Sequence, residues 1–151
     1  MRDEFDPNMA RKTWMSRLAR APQGRVSELL KAFGPLPAFE WLRAPEVGST
    51  MVRGRAGGTG SAFNLGEITV TRCALRLADG TVGHAYIQGR NKDDAQAAAL
   101  VDALMQTGAA DRLRAALLDA LEAEASATKT RRAAKAAATK VDFFTMVRGE
   151  D

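Results

Sequence analysis

Cysteine, histidine and long apolar runs are scarce in this chain of 151 residues. It has one cysteine and one histidine, which excludes an internal disulfide and any metal cluster built from several cysteines. Low cysteine use is typical of a reducing compartment, so we expect a cytoplasmic protein. The first residues, MRDEFDPNMARKTW, carry acids where a secretory signal needs basic residues. A membrane span needs about 18 consecutive apolar residues, and none is expected here.

Aromatic residues are also few, at 6% of the chain, although 46% of it is hydrophobic. Much of the hydrophobic fraction is alanine, so the core must rely on closely packed helices, and partners are expected to complete it. The length is that of one domain. The net charge of +4 favours an anionic ligand or an acidic partner. The excess is modest because 22 basic residues alternate with 18 acids, and we do not expect nucleic-acid binding.

A β-hairpin is predicted to organise the fold. Residues 53–90 form a glycine- and arginine-rich loop, followed by two extended segments that Asp79-Gly80 joins. An Asp-Gly pair between apolar runs predicts a two-residue type I′ turn. That turn would pair residues whose numbers sum to 159, which places Leu75 opposite His84 and Cys73 opposite Tyr86. The face expected to pack on helices then holds Ile68, Val70, Arg72, Ala74, Arg76, Gly83, Ala85, Ile87 and Gly89.

Helices are predicted before the hairpin. Asn8 is the expected N-cap of a first helix that ends near Ala21. Apolar residues from Val26 to Phe33 predict a second helix, which Gly34-Pro35 ends. A short third helix is expected between Pro37 and Pro45, with Phe39, Trp41 and Leu42 on its apolar side. A strand is then predicted from Glu46 to Arg55.

Helices are predicted after the hairpin as well. Asn91 is the expected N-cap of a helix whose first turn holds Asp93 and Asp94, which complement the positive end of the helix dipole. Its buried stripe is predicted to be Leu100, Val101, Leu104 and Met105. Asp111 is expected to cap a further helix with Leu113, Leu117, Leu118 and Leu121 on its apolar side, ending near Ala125.

The alanine-rich segment from Ser126 to Lys140 is basic and contains no acid. Its sequence favours helix but offers no large apolar face. Two interpretations stay open: a solvated helix, or a helix that lies on an acidic partner or points toward an anionic ligand. The last residues, VDFFTMVRGED, are too apolar for a free tail and are expected to dock. Predicted partner-binding residues are Arg131, Arg132, Lys135, Phe143, Phe144 and Arg148.

Together these patterns predict one α+β domain over residues 1–151. Its centre is an antiparallel sheet built on the hairpin at about 65–90, with flanking helices and an extended helical C-terminal segment. The expected divisions are a helical lead-in at 1–45, the sheet with its glycine-rich loop at 46–90, helices at 91–140 and a docking tail at 141–151.

No complete catalytic apparatus is evident in the sequence. The loop Gly54-Arg55-Ala56-Gly57-Gly58-Thr59-Gly60 can turn several backbone N–H groups toward one anion, because glycine adopts both signs of φ. It is not a Walker loop or a dinucleotide fingerprint, and glycine-rich mobility alone is the alternative. His84 and Cys73 are expected to be strand residues without catalytic roles. Glu67 and Asp79 lie at opposite ends of the hairpin and cannot act as an acid–base pair.

The chain resembles the PhnG family, subunits of the bacterial carbon–phosphorus lyase system. The resemblance is carried by residues 45–90, PEVGSTMVRGRAGGTGSAFNLGEITVTRCALRLADGTVGHAYIQGR, with RKTWMSRLARA upstream and AALVDALMQ and VDFFTMVRGED downstream. The combination of FNLGEITVTRC with GHAYIQGR is specific, and the resemblance covers nearly the whole chain.

The resemblance implies a subunit of a complex that displaces adenine from ATP with an alkylphosphonate, giving α-D-ribose 1-alkylphosphonate 5-triphosphate. Partners implied are PhnI-like, PhnH-like and PhnL-like subunits, with a PhnJ-like radical enzyme acting later. ATP, with Mg²⁺, would be a substrate of the complex, and this chain alone is expected to hold no cofactor and to be inactive. No catalytic residue is implied. From residue chemistry, we predict ligand contacts at Arg53, Arg55, Gly57, Gly58, Gly60, Asn64, Glu67, Thr69, Thr71, Arg72 and Arg90. The alternative is a purely structural assembly subunit without substrate contact.

Overall fold

The computed structural model describes residues 6–141, with only the backbone described at Pro7. It confirms the α+β class: helices pack on one antiparallel three-stranded sheet of order β1-β2-β3. The strands are β1 (Phe39–Arg55), β2 (Ala62–Leu77) and β3 (Val82–Gln88). The helices are α1 (Pro7–Ala19), α2 (Arg25–Phe33), α3 (Lys92–Leu104), α4 (Ala110–Leu113) and α5 (Asp119–Ala138).

The predicted hairpin is present, but its turn and register differ from the prediction. Paired residues of β2 and β3 sum to 158, as in Leu75 with Gly83 and Ala74 with His84. A type I′ turn needs positive φ at two consecutive residues, and here only Gly80 has it, at 90°. Gly80 N–H donates to the Leu77 carbonyl at 3.0 Å, which makes a three-residue loop that ends in a left-handed glycine.

The slip of one residue changes which face of β2 lies beside a given face of β3, because strand side chains alternate between faces. The face predicted to pack on helices was therefore correct for β3, where Gly83, Ala85 and Ile87 are buried, and wrong for β2. Arg72 and Arg76 are exposed, and Tyr86 lies opposite Arg72 instead of Cys73. The helices cover the other face, whose buried residues are Thr71, Cys73, Leu75, Leu77, Gly83, Ala85 and Ile87.

The predicted third helix was also wrong, because Phe39, Trp41 and Leu42 belong to β1. Phe39 pairs with Leu77 and Trp41 pairs with Leu75, and the Phe39 and Trp41 rings meet edge to face at 4.9 Å. Long-range pairing and aromatic packing on the sheet outweigh any local helical tendency. The strand predicted at Glu46 to Arg55 therefore begins earlier, at Phe39.

The N-cap of helix α1 lies two residues before the predicted one. The Asp6 carboxylate, not Asn8, is the N-cap and accepts from Asn8 N–H at 2.9 Å. Helix α2 ends as predicted at Phe33, followed by Gly34 with φ of 125°. Asn91 caps α3 as predicted, accepting from Asp94 N–H at 3.0 Å.

Helix α3 lies very close to β3 because small residues face each other. A β carbon added to Gly83 would stand 2.0 Å from the Ala99 carbonyl oxygen and 2.8 Å from Ala103 Cβ. The predicted stripe of Leu100, Val101, Leu104 and Met105 is buried here. Because aromatic residues are few, the core depends on close packing of backbones, and alanine and glycine allow that packing here.

Two carboxylates on α3 join the N-terminal helices to the sheet. Asp102, fully buried, accepts from Arg11 Nη2 at 2.7 Å, from Trp14 Nε1 at 2.9 Å and from His84 N–H at 2.9 Å. Asp94, also buried, accepts from two backbone N–H groups at the start of α2, those of Gly24 and Ser27. Each carboxylate therefore holds a different N-terminal helix.

The C-terminal helices form a continuous run that leaves the body. Asp111 is not a cap, since α4 begins at Ala110 with no side-chain cap. A π-helical turn, Arg114–Leu118, joins α4 to α5. The predicted Leu113, Leu117, Leu118 and Leu121 are all buried, but the helix continues past Ala125 to Ala138. Beyond Leu121 no residue of α5 is buried.

Candidate functional site

The glycine-rich loop lies at the tip of a two-stranded β-arm. We define the β-arm as residues 50–68, where β1 pairs only with β2, from Thr50–Ile68 out to Arg55–Ala62. Strand β3 does not reach it, because its last pair is Val70 with Gln88. At about 3.3 Å per residue, the paired part extends roughly 20 Å beyond the three-stranded sheet.

The tip is a short 3-10 turn, Ala56–Gly58, built on left-handed glycines. Gly57 and Gly58 have φ of 60° and 77°, which only glycine adopts without strain. Gly60 N–H donates to the Ala56 carbonyl at 3.0 Å, and Arg55 Nη1 donates to the Gly60 carbonyl at 3.0 Å. Two hydrogen bonds therefore close the loop, one between backbone groups and one from the Arg55 side chain.

The tip brings together six of the predicted ligand residues. Arg53 pairs with Asn64 across the strands, one step below Gly54, and both are exposed. Arg53 shows no ion pair or side-chain hydrogen bond with another described residue, whereas Arg55 is held by the loop. The six residues at the tip are Arg53, Arg55, Gly57, Gly58, Gly60 and Asn64.

The other five predicted ligand residues lie apart from the tip. Glu67 is exposed midway along the β-arm. Thr71, at the base, is fully buried and donates its hydroxyl to the Gly89 carbonyl at 2.7 Å. Arg72 donates to Glu46 at 2.7 Å on the exposed sheet face. Thr69 and Arg90 also lie near the base, roughly 20 Å from the tip by strand length. One small ligand cannot contact both groups on this chain.

Predicted partner-binding residues are only in part within the described range. Arg131, Arg132 and Lys135 are exposed on α5, as either interpretation of the basic helix requires. Phe143, Phe144 and Arg148 lie outside the described residues, as does the proposed docking tail.

The two residues most often used in catalysis are placed without catalytic neighbours. Cys73 is buried, its Sγ lies 3.2 Å from the Ala95 carbonyl oxygen, and burial raises the pKa of its thiol to about 12. A thiol with so high a pKa is a poor nucleophile. His84 is exposed on the sheet face away from the core. Within residues 6–141, no three His, Cys, Asp or Glu side chains are grouped to hold a metal. The helices of that range include none suited to crossing a membrane.

Two features of the molecule escaped the sequence patterns. The first is the pair of buried carboxylates, Asp94 and Asp102. Asp102 stands between the predicted core residues Val101 and Leu104, and a carboxylate inside an apolar stripe requires buried partners. The second is the length of the β-arm, whose alternating Met51, Phe63 and Leu65 carried no sign of being uncovered.

Similarity to known proteins extends over nearly the whole chain. A family model described as "Phosphonate metabolism protein PhnG" matches residues 9–149. A curated protein of Rhizobium meliloti (strain 1021), named "Alpha-D-ribose 1-methylphosphonate 5-triphosphate synthase subunit PhnG", is 46% identical over 141 residues. The alignment covers 93% of this chain and 90% of that relative. With matches of this length and identity, the chain belongs to the PhnG family.

Proposed function

We propose that this chain is a subunit of the complex that makes α-D-ribose 1-methylphosphonate 5-triphosphate from ATP and methylphosphonate, with release of adenine. The observation that carries the proposal is the 46% identity to a relative named as a subunit of that synthase. The chain acts in organic phosphonate catabolism in the cytoplasm. Its partners are PhnI-like, PhnH-like and PhnL-like subunits, and a PhnJ-like enzyme acts on the product.

The chain's own contribution to the reaction is at the tip of the β-arm. Arg53 and Arg55 place two guanidinium groups beside a loop in which Gly57 and Gly58 are exposed. Guanidinium groups bind phosphate oxygens through paired hydrogen bonds, and such loops favour anions. The substrates are anionic: the triphosphate of ATP, entering with Mg²⁺, and the phosphonate. We propose that the tip holds one of these anions while another subunit carries out the displacement.

The predicted ligand residues fall into two separate groups, and this limits the proposed contacts to one of them. Thr71 and Arg72 already have partners in this chain, and with Thr69 and Arg90 they lie at the base of the β-arm. We therefore propose ligand contacts for the tip residues alone. Glu67, a carboxylate partway along the β-arm, would repel an anion and is left out.

The test is adenine release from ATP and methylphosphonate by the reconstituted complex. Without this subunit, we expect release to lose its dependence on methylphosphonate. Arg53→Ala should lower kcat/KM at least about tenfold, the effect of losing one charge-assisted hydrogen bond, and Arg53→Lys should restore part of it. The matched control is Arg20→Ala, an exposed arginine that bonds only to Ser16 in its own helix.

A purely structural assembly subunit is the second candidate. The observation in its favour is that the tip is an open loop, exposed to solvent at Ala56, Gly57, Gly58 and Thr59. On that function, Arg53→Ala and Gly58→Val leave turnover unchanged in the assembled complex. Reversal of charge at Arg131, Arg132 and Lys135 would instead dissociate it.

A further inference from the structure

We propose that the β-arm inserts lengthwise into an apolar cleft of another synthase subunit, and that the cleft leads to the substrate site. This inference rests on the proposed function, because it takes the chain to be one subunit of that complex. It divides the β-arm into two parts with different chemistry. The tip, residues 53–61 with Asn64, provides the anion contacts, and the shaft, the remaining residues of 50–68, provides docking.

The shaft exposes large apolar side chains that the fold leaves uncovered. On one face of the ribbon Phe63 is 46% exposed, Leu65, which lies over Gly54, is 63% exposed, and Ile68 at the base is 36% exposed. Met51, 49% exposed, lies on the other face, where it pairs with Glu67. Every residue from Ser61 to Ile68 is exposed. Contiguous apolar surface of this kind marks a protein interface, whereas scattered exposed apolar residues do not.

A free two-stranded ribbon also lacks the means to hold its own shape in water. Two strands without a third, or a helix layer, are marginally stable. The β-arm nevertheless keeps a paired ladder for six residue pairs, with one bulge beside Leu65, where the Leu65 side chain lies over Gly54. Both outer edges of the ribbon are unpaired by described strands, and such edges invite further pairing. Enclosure by a partner covers the apolar side chains and the edges together.

The partner whose cleft receives the β-arm is a different subunit, not a second copy of this chain. Two clefts formed by the described residues have volumes of about 550 and 540 Å³. Those are the volumes of small-molecule pockets, too small to enclose a ribbon of two strands. Two copies would also bring arginine-bearing tips of the same charge toward each other on chains of net charge +4.

The distribution of charge sets the orientation in the cleft. Arg53 and Arg55 are both at the outer end, and the shaft's single acid, Glu67, is close to the body. An apolar wall followed by an anion at the far end matches that order. The anion is the triphosphate or phosphonate of the proposed function, so docking by the shaft places the tip against the substrate.

The experiment is co-purification of variants of the full chain with the other synthase subunits, without ATP or phosphonate. Phe63→Ser combined with Leu65→Ser should weaken association at least about 30-fold, the effect of losing aromatic and aliphatic anchors. The matched control is Met9→Ser, because Met9 is 64% exposed, as Leu65 is, but lies on α1. It should bind as the unchanged chain does.

A second variant removes the tip and most of the shaft. Met51 and Glu67 are paired, so residues 52–66 can be replaced by Asn-Gly, a pair that closes such a ladder. This variant should keep its thermal transition and fail to join the complex. Arg53→Ala should still assemble, since its role is at the tip.

The outcomes separate this inference from the proposed function. Shaft variants that co-elute with the partners overturn the docking inference, whatever their turnover. A dimer of the isolated chain that dissociates on removal of residues 52–66 also overturns it, because the occupant would then be a second copy. If the unchanged chain joins no synthase subunit, the proposed function fails first.

Discussion

Replacement of Asp102 is expected to be the most damaging single change outside the β-arm. Its carboxylate accepts four hydrogen bonds, two from Arg11 at 3.1 and 2.7 Å, one from Trp14 Nε1 and one from His84 N–H. Asp102→Ala leaves the buried indole N–H and the strand N–H without an acceptor. Each unsatisfied donor costs about 1–3 kcal/mol. Arg11 is 32% exposed and can turn to water, so its loss adds less.

The expected loss is therefore about 3–5 kcal/mol of the free energy of unfolding, as found for broken buried ion pairs. For a chain of this size, that lowers Tm by roughly 6–20 °C. Urea denaturation followed by tryptophan fluorescence measures it directly, since Trp14 is one of the partners. Arg11→Ala should cost about 3 kcal/mol, because it leaves the fully buried Asp102 carboxylate without a cation, and the double variant should cost less than the sum of both.

Asp102→Asn tests whether the charge or the geometry matters. The amide keeps one acceptor but presents two hydrogens where all the neighbours are donors. We expect it to cost about 2 kcal/mol, the price of one buried donor without an acceptor. If Asp102→Ala costs less than about 1 kcal/mol, the reasoning from buried donors is refuted for this site.

Two further predictions concern the contact between α3 and the sheet. Gly83→Ala places a β carbon against the backbone carbonyl of Ala99, which cannot rotate away, so about 3 kcal/mol or more of stability should be lost in thermal or urea unfolding. Gly66→Ala, with no atom within 4 Å, is the matched control, and an equal loss would contradict the steric argument. The raised pKa of the Cys73 thiol, about 12 against an ordinary 9.0, predicts slow alkylation of the native protein near neutral pH and fast alkylation in urea. Because the folded form holds this proton more tightly, stability should be full below pH 9 and fall as pH rises towards 12; a flat profile there would contradict it.

The elements that sequence reasoning found are those fixed by local chemistry. The end of α2 follows from Gly34, and the start of α3 follows from Asn91, which caps it. Each depends on a few adjacent residues. The alanine-rich C-terminal segment likewise forms helix from its intrinsic preference.

The elements that sequence reasoning missed are those that distant contacts decide. Trp41 and Phe39 have no strand signal of their own until β2 supplies Leu75 and Leu77 as partners. The hairpin register depended on whether Asp79 and Gly80 both take a positive φ or Gly80 alone does. The Asp79 carboxylate accepts from Thr81 N–H at 2.9 Å, an arrangement within a turn in which Asp79 keeps a negative φ. A single dihedral angle thus decided which face of β2 is buried together with Gly83, Ala85 and Ile87 of β3.

The sequence pointed to the glycine-rich loop as a candidate site, but it did not show which other residues lie near that loop. Glycines and arginines drew attention to the loop at the tip, and its binding of an anion stays a prediction. The predicted ligand residues from Glu67 to Arg90 belong to the hairpin that continues from the loop. They were expected to lie near the tip because they are close to it in sequence. A ribbon without a third strand separates them, and only the end of β3 at Gln88 reveals that.

The positions of Asp94 and Asp102 have a consequence for how the chain emerges from the ribosome. Gly24, whose N–H lies at the start of α2, is synthesised 70 residues before its acceptor Asp94, and Arg11 is synthesised 91 residues before its acceptor Asp102. At about 5–20 residues per second, the N-terminal third of the nascent chain is exposed for several seconds before α3 exists. During that interval α1 and α2 have neither their carboxylates nor the sheet they pack on. The first two helices made, α1 and α2, therefore gain these acceptors only when the third has been made.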